Sequence, residues 1–200
     1  MKKIITLVLM TLFTQCQAQK TQNIMMPKID NYLEKITKKF DKSRIDEINN
    51  SEHIIYTSAN VGFGEAHYFN HSYFIILKNF FKNSIIQNKG VAFTEGSPIG
   101  TWYHFDESGN LIKEENTDEG YDFGPLDVVK YCEKNNIKLP KGYQTSGYQT
   151  DVYKREIDGR KVWVISYALS INKQSYVDEI TLDGKTGKLL NKQRNTYINN

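Results

Sequence analysis

Apolar residues recur every three or four positions in the N-terminal third of the chain. The residues that show this spacing come after Pro27 and are Ile29, Leu33, Ile36, Phe40, Ile45 and Ile48. The pattern predicts an amphipathic helical segment over residues 19–50, formed by one helix or by two that break near residues 41–43. The opposite face carries Lys35, Lys38 and Lys39, which are either solvated or in contact with a membrane surface.

Between residues 51 and 122 the pattern changes to short runs rich in Ile, Phe, Tyr and Val. The runs span residues 53–56, 66–69, 73–77, 84–87, 91–94, 101–105 and 111–115, and Gly and Asn separate them. Runs of this length and spacing are typical of antiparallel strands joined by hairpins. We therefore predict an antiparallel β-meander in this region.

The last part of the chain, residues 123–200, combines one short helix with two hairpins. Gly124 and Pro125 indicate a helix start, and each hairpin that follows has an Asp-Gly turn between apolar runs. On the strand over residues 162–167, Trp163 and Tyr167 point to one face and valines to the other. Both faces are apolar, so we expect one to pack on the helix and the other to need a cover or a partner.

The first 18 residues have the order of a secretory signal peptide. Lys2 and Lys3 precede an apolar run that is too short to span a bilayer. Cleavage after Ala18 would leave Gln19 as the mature N-terminus, whereas a lipoprotein signal would make Cys16 the acylated first residue. Either route predicts an exported protein that is periplasmic or at the cell surface, with no transmembrane span and with a lipid anchor only in the second case.

These patterns predict an α+β fold with an N-terminal amphipathic helix, an antiparallel β-meander, and a helix packed on an antiparallel sheet. The expected organisation is a signal peptide over residues 1–18, a helical segment over 19–50, a β region over 51–122 and an α+β module over 123–200.

Charge and cysteine content narrow the functional classes. The chain has 26 basic and 23 acidic residues, and removal of Lys2 and Lys3 with the signal peptide leaves 24 basic ones. This near balance argues against nucleic-acid binding, which requires a basic excess or a clustered basic stripe. Cleavage after Ala18 would leave Cys132 as the only thiol, so no intramolecular disulfide is expected.

The residues that could carry chemistry do not form a recognisable catalytic set. His67 and His71 would lie about 13 Å apart on a straight strand, at ~3.3 Å per residue, which is too far for one Zn²⁺ even with Glu65 nearby. Cys132 falls on the apolar stripe of the short helix, where a free cysteine is usually a core residue. The acidic pairs at 118–119 and 178–179 are most simply solubilising charges. We predict that the protein is not an enzyme and uses no metal or cofactor.

One stretch within the β region resembles a single MORN-type repeat, a module common in exported bacterial proteins. The residues that carry the resemblance lie within residues 89–114 and are Gly90, Phe93, Gly96, Pro98, Ile99, Gly100, Trp102, Phe105, Asp106, Gly109, Leu111 and Glu114. The expected structure is a meander with Gly100 and Gly109 at turns and Asp106 capping a turn. Trp102 and Leu111 are expected in the core.

Residues 125–192 resemble a PepSY-like domain. The resemblance rests on a helix, the apolar strand around Trp163, and the turn Leu-Asp-Gly-Lys-Thr-Gly-Lys-Leu-Leu at residues 182–190. It implies a small cystatin-like fold associated with binding or inhibiting peptidases and other exported partners. Neither resemblance implies a catalytic residue.

A tandem Gly-Tyr-Gln-Thr repeat at residues 142–150 is either a flexible loop or a recognition loop with rigid tyrosine contacts. We expect a non-catalytic protein-binding or inhibitor-like module of the bacterial cell envelope, with an immunity-type protein as one variant. The candidate partner contacts are Trp163, Tyr167, Tyr143 and Tyr148, although Trp163 also suits the core. The alternatives are a structural envelope lipoprotein and a metal-dependent hydrolase that uses the region of His67 and His71.

Overall fold

The protein is built mainly from strands, so the α+β prediction is wrong. The structure, a computed structural model, describes residues 24–147 and 149–196. The strands are β1 (Arg44–Ile48), β2 (Glu52–Ala59), β3 (Gly62–Phe69), β4 (Phe74–Phe80), β5 (Ile86–Phe93), β6 (Pro98–Phe105), β7 (Leu111–Asn116), β8 (Asp151–Ile157), β9 (Arg160–Ile171), β10 (Gln174–Asp183) and β11 (Leu189–Thr196). The single helix in the described residues is α1 (Pro125–Lys134).

Strands β1 to β7 form one antiparallel meander in sequence order. Side chains alternate between two faces, which we call the front face and the back face. Register places Glu65, Lys78 and Lys89 side by side on the front face, while His53 and Tyr68 pair on the back face. The meander that the alternating runs predicted is therefore present, although the runs at 84–87 and 91–94 belong to the single strand β5.

Residues 24–40 form an extended strap across the front face instead of the predicted amphipathic helix. The strap's Ile36 is buried beside Phe80 and Ile86, and Phe40 packs against the same cluster. The Ile36 amide donates to the Ser84 carbonyl at 2.9 Å, so the strap is bonded to the turn between β4 and β5. Contacts with the sheet override the helical periodicity, because helix propensity is a weak preference that tertiary contacts can exceed.

The second sheet has the order β11-β10-β9-β8 and contains the two predicted hairpins. Its inner face packs with α1 and the front face of the first sheet in one core, which includes Phe74, Phe93, Val129, Trp163 and Ile165. Residues of both predicted β regions therefore share a core. The helix and the first sheet both cover the face that carries Trp163, whereas Val162 and Val164 on the other face are buried outside this core.

The edge strand β8 is joined to the first sheet at the turn between β5 and β6. Val152 forms a parallel bridge with Gly96, and its amide donates to the Glu95 carbonyl at 2.9 Å. Nearby, the ammonium of Lys154 donates to the Pro98 and Thr117 carbonyls, both at 2.8 Å. Burial lowers the pKa of Lys154. These bonds fix the relative position of the two sheets.

The segment that resembles a MORN-type repeat forms the β5–β6–β7 part of the meander. Asp106 caps the turn after β6 by accepting hydrogen bonds from the amides of Ser108 and Asn110 at 2.9 and 2.8 Å, as predicted. Gly100 lies inside β6 and not at a turn, and Leu111 is exposed at the edge strand β7 and not in the core. No helix in the described part of the chain is long and apolar enough to cross a membrane.

Candidate functional site

The tandem repeat folds into two copies of one local motif. In the first copy the side-chain amide of Gln144 donates to the Lys141 carbonyl at 2.8 Å, and in the second Gln149 donates to the Ser146 carbonyl at 3.0 Å. Gly142 has a φ of +66°, and a Cβ there would lie 3.1 Å from the Asn70 Cα. Glycine is therefore required where the loop meets the first sheet.

Tyr143 from this loop lies on the back face of the first sheet. Its ring packs against the rings of His53 and Tyr68, with centroids 4.2 and 5.2 Å away in edge-on geometry. The Arg44 guanidinium donates to the Tyr143 hydroxyl at 3.0 Å. Contacts with these three residues hold the Tyr143 ring in place and anchor the loop there.

A polar chain supports the aromatic contacts. Arg44 donates two hydrogen bonds of 2.8 Å to Asp46, and Asp46 also accepts one of 2.7 Å from His53 Nε2. The bond from Arg44 is the main cause that holds the pKa of Asp46 well below its usual range. Arg44, Asp46, His53, Tyr68 and Tyr143 together are called the tyrosine-loop surface below.

The tyrosine-loop surface borders an open strand edge. Within the described residues, β1 pairs only with β2, so its outer backbone groups have no strand partner. Thr145 and Ser146 at the tip of the loop are exposed, and so is Ile48 at the end of β1. A polypeptide that added to β1 would meet the loop with its side chains.

A cavity of about 770 Å³ lies on the helix side of the same loop. Its lining includes Tyr73, Glu133, Lys138, Gln144 and Gln149. The Tyr73 hydroxyl donates to Glu133 at 3.0 Å, and burial together with this carboxylate raises the pKa of Tyr73 to about 12. The lining offers amide, hydroxyl and charged groups.

The four predicted partner contacts have different environments. Trp163 is 0 % exposed and donates to the Phe123 carbonyl at 2.8 Å, so it is a core residue and not a surface contact. Tyr167 is half-buried at the margin of the core, with its hydroxyl 3.4 Å from Asp178. Of the three candidates that the structure describes, Tyr143 alone contributes to the tyrosine-loop surface. Tyr148 and the lipidation candidate Cys16 lie outside the described residues.

Three of the four histidines, His53, His67 and His104, have carboxylate partners, and Cys132 is in the core. His67 Nε2 lies 2.6 Å from Glu65, and His104 Nε2 lies 3.0 Å from Glu115. His71 follows the end of β3, in a turn. Among the described residues, no group of three or more His, Cys, Asp or Glu side chains could hold a metal ion. Cys132 is buried, and burial raises its pKa to about 12.

Each acidic pair taken as solubilising contains an aspartate with a structural role. Asp118 accepts a hydrogen bond from the Gly100 amide at 2.9 Å. Asp178 is almost fully buried and accepts two hydrogen bonds from Arg194, at 2.5 and 2.8 Å. The bond from Arg194 lowers the pKa of Asp178. This carboxylate ties β11 to β10, so its charge is compensated inside the sheet and not exposed to solvent.

The polar half of the tyrosine-loop surface was missed in the sequence because residues 44–48 were assigned to a helix. On a strand, Arg44 and Asp46 are two residues apart and share a face, which is the signal that alternation would have provided. His53 and Tyr68 face each other only through the pairing of β2 with β3. Comparison of the chain with protein families, curated proteins and solved structures found no match.

Proposed function

We propose that this protein is a non-catalytic, exported protein-binding module of the cell envelope, and that its partner binds at the tyrosine-loop surface. The observation that supports this most directly is the fixed orientation of Tyr143 beside the open edge of β1. An inhibitor of an exported enzyme or an immunity-type protein belongs to the same class.

Two physical properties make this surface suitable for protein recognition. A tyrosine held in one orientation loses little conformational entropy on binding and offers both apolar area and a hydroxyl. An open strand edge adds main-chain hydrogen bonds when a partner's extended segment pairs with it. The two features are adjacent, since Arg44 belongs to β1 and also bonds to Tyr143.

Export is part of the same proposal and rests on residues 1–18. The mature chain would begin at Gln19 or at an acylated Cys16, and both ends lie N-terminal to the strap. In either case the partner is an envelope or secreted protein.

Site-specific photocrosslinking tests the binding surface. A photoreactive amino acid is placed at position 145 in the loop tip and, as a matched control, at position 61. Thr145 and Val61 are both exposed, and Val61 lies in the turn at the far end of the β2–β3 hairpin from His53 and Tyr68. Crosslinking is performed on the full chain in the native envelope fraction.

We expect position 145 to give one defined crosslinked protein and position 61 to give none. The additional substitution Tyr143→Ala should remove the product, because the anchored ring is lost. The same products from both positions, or none from position 145, would contradict the assignment of this surface.

A further inference from the structure

The strap fills a groove on the front face that contains buried positive charge. Ile24 and Ile29 pack on the main core, and Ile36 and Phe40 on the second apolar cluster. Between them, the groove presents the ammonium groups of Lys89 and Lys78. Both ends of the strap are therefore held by apolar contacts and the middle by charge.

Lys89 depends on the strap for its hydrogen-bond acceptors. Its side chain is 0 % exposed, and Nζ donates to Asp30 at 3.0 Å, to the Tyr32 carbonyl at 2.8 Å and to Glu34 at 2.5 Å. A buried ammonium without carboxylate partners is strongly unfavourable. The groove is therefore complementary to an extended chain that carries carboxylates.

Lys78 continues the network towards β3. It donates to the second oxygen of Glu34 at 2.6 Å and lies 3.1 Å from Glu65. Burial alone would lower the pKa of Lys78, but Glu34 and Glu65 together raise it above its usual value. Glu34 is thus shared by two lysines of neighbouring strands, which fixes the register of the strap.

The backbone of the strap makes few hydrogen bonds to the rest of the protein; its Met25 and Tyr32 carbonyls accept from the Ser72 hydroxyl and the Lys89 ammonium, each at 2.8 Å. Its bonds to the β4–β5 region are those of one antiparallel bridge, from the Ile36 amide to the Ser84 carbonyl and from the Ile86 amide to the Glu34 carbonyl. The strap has no helix or named strand of its own, and exposed residues 41–43 connect it to β1. An extended chain with the same side-chain chemistry can make the same contacts.

From this geometry we propose that the groove is a second binding site, which accepts an extended acidic segment of a partner protein in exchange for the strap. The segment would carry one carboxylate in the place of Asp30, bonded to Lys89. A second carboxylate four residues later would take the place of Glu34, bonded to both Lys89 and Lys78. A branched aliphatic residue two positions after the second carboxylate would take the place of Ile36. This site is on the opposite face from the tyrosine-loop surface and does not depend on it.

The test uses the full chain with the substitutions Asp30→Asn and Glu34→Gln, which weaken the strap and leave the groove unchanged. The probe is a fluorescent synthetic peptide of residues 24–40, and binding is followed by fluorescence anisotropy. The matched control protein carries Asp122→Asn and Glu156→Gln, the same change of charge at exposed positions outside the strap and the groove. A cooperative urea transition establishes that each variant is folded, and Glu34→Gln alone replaces the double variant if it is not.

We expect the strap variant to bind the peptide at least about tenfold more tightly than the wild type and the control, whose grooves are occupied by a strap at high effective concentration. A peptide with Asp30→Asn and Glu34→Gln should bind the strap variant roughly 10- to 100-fold more weakly, because charge-assisted hydrogen bonds are lost. Equal binding of both peptides, or no binding to a folded strap variant, would overturn the proposal. If the wild-type protein formed a dimer by exchange of straps, the groove would bind a second copy of this chain, and the proposal of a different partner protein would be overturned.

Discussion

Lys89 and its carboxylates provide a test of how the strap is held, because the two sides of this ion pair differ in burial. The Lys89 side chain is 0 % exposed, whereas the side chains of Asp30 and Glu34 are 60 % and 31 % exposed. Removal of the lysine leaves carboxylates that water can reach, and Glu34 keeps its bond to Lys78. Removal of the carboxylates leaves a buried ammonium with one neutral acceptor, the Tyr32 carbonyl.

This difference fixes the order of the expected losses in stability. Breaking a buried pair so that one charge remains costs roughly 3–5 kcal/mol. For the double variant Asp30→Ala with Glu34→Ala we expect the free energy of unfolding to fall by about 3 kcal/mol. The loss is at the lower end of the range because release of the strap lets water reach Lys89. For Lys89→Met we expect a loss within about 1 kcal/mol, because an apolar side chain of similar length leaves no buried charge.

The assay is urea unfolding followed by circular dichroism at neutral pH, with the free energy of unfolding compared between the three proteins. If the unfolding free energy depends on urea concentration with the same slope as in the wild type, the same cooperative unit unfolds in each protein. If Lys89→Met destabilised the protein as much as the double carboxylate variant, burial of the ammonium would not be the controlling factor and the argument would fail.

Three further predictions follow from the core and the second sheet. Trp163→Ala should lower the free energy of unfolding by about 3–5 kcal/mol, as for other buried aromatic residues; urea unfolding measures this, and a loss below about 1 kcal/mol would contradict a core position. The Cys132 thiol should resist alkylation at pH 8 in the folded protein and react in urea, because burial raises its pKa to about 12; rapid labelling without urea would show an accessible thiol. The lowered pKa of Asp178 means that this group stabilises the fold above its ordinary pKa of 3.8 and loses that contribution as the pH falls below it. Wild-type stability should therefore fall more steeply below about pH 4 than that of Asp178→Asn, and parallel pH profiles would contradict the role of the bond to Arg194.

The strap shows why the N-terminal prediction was wrong. Ile29 and Ile36 do pack on apolar clusters, but Leu33 and Ile48 of the same predicted stripe are exposed, so the pattern marked the buried residues only in part. Their periodicity suggested a helix because a local pattern carries no information about Lys89, which lies 55 residues beyond Glu34. Long-range contacts, apolar at Ile36 and ionic at Lys89, hold this segment in an extended conformation.

The hairpins were predictable for the opposite reason. Asp158 and Gly159 both have positive φ at the β8–β9 turn, and alternation in the flanking strands agrees with the observed pairing. The same alternation placed Trp163 and Tyr167 on one face but could not say what covers it. That cover comes from the first sheet and α1, which requires knowledge of how the two sheets pack.

The candidate site was predictable only in part. The repeated Gly-Tyr-Gln-Thr sequence drew attention to Tyr143, and the structure shows that each copy forms the same glutamine–carbonyl contact. The residues that anchor Tyr143 come from three strands far away in sequence, so no local spacing connects them. Arg44 and His53 became recognisable only when β1 and β2 were placed side by side.

Native mass spectrometry of the mature protein from its envelope fraction tests the central claim most directly. Wild type is compared with Thr145→Arg at the loop tip and with Val61→Arg as a matched change at another exposed position. The account predicts that wild type and Val61→Arg retain a stoichiometric protein partner and that Thr145→Arg loses it. The mass of the chain should correspond to a start at Gln19 or at an acylated Cys16. A wild-type chain without a partner, or a partner retained equally by all three proteins, would contradict the account.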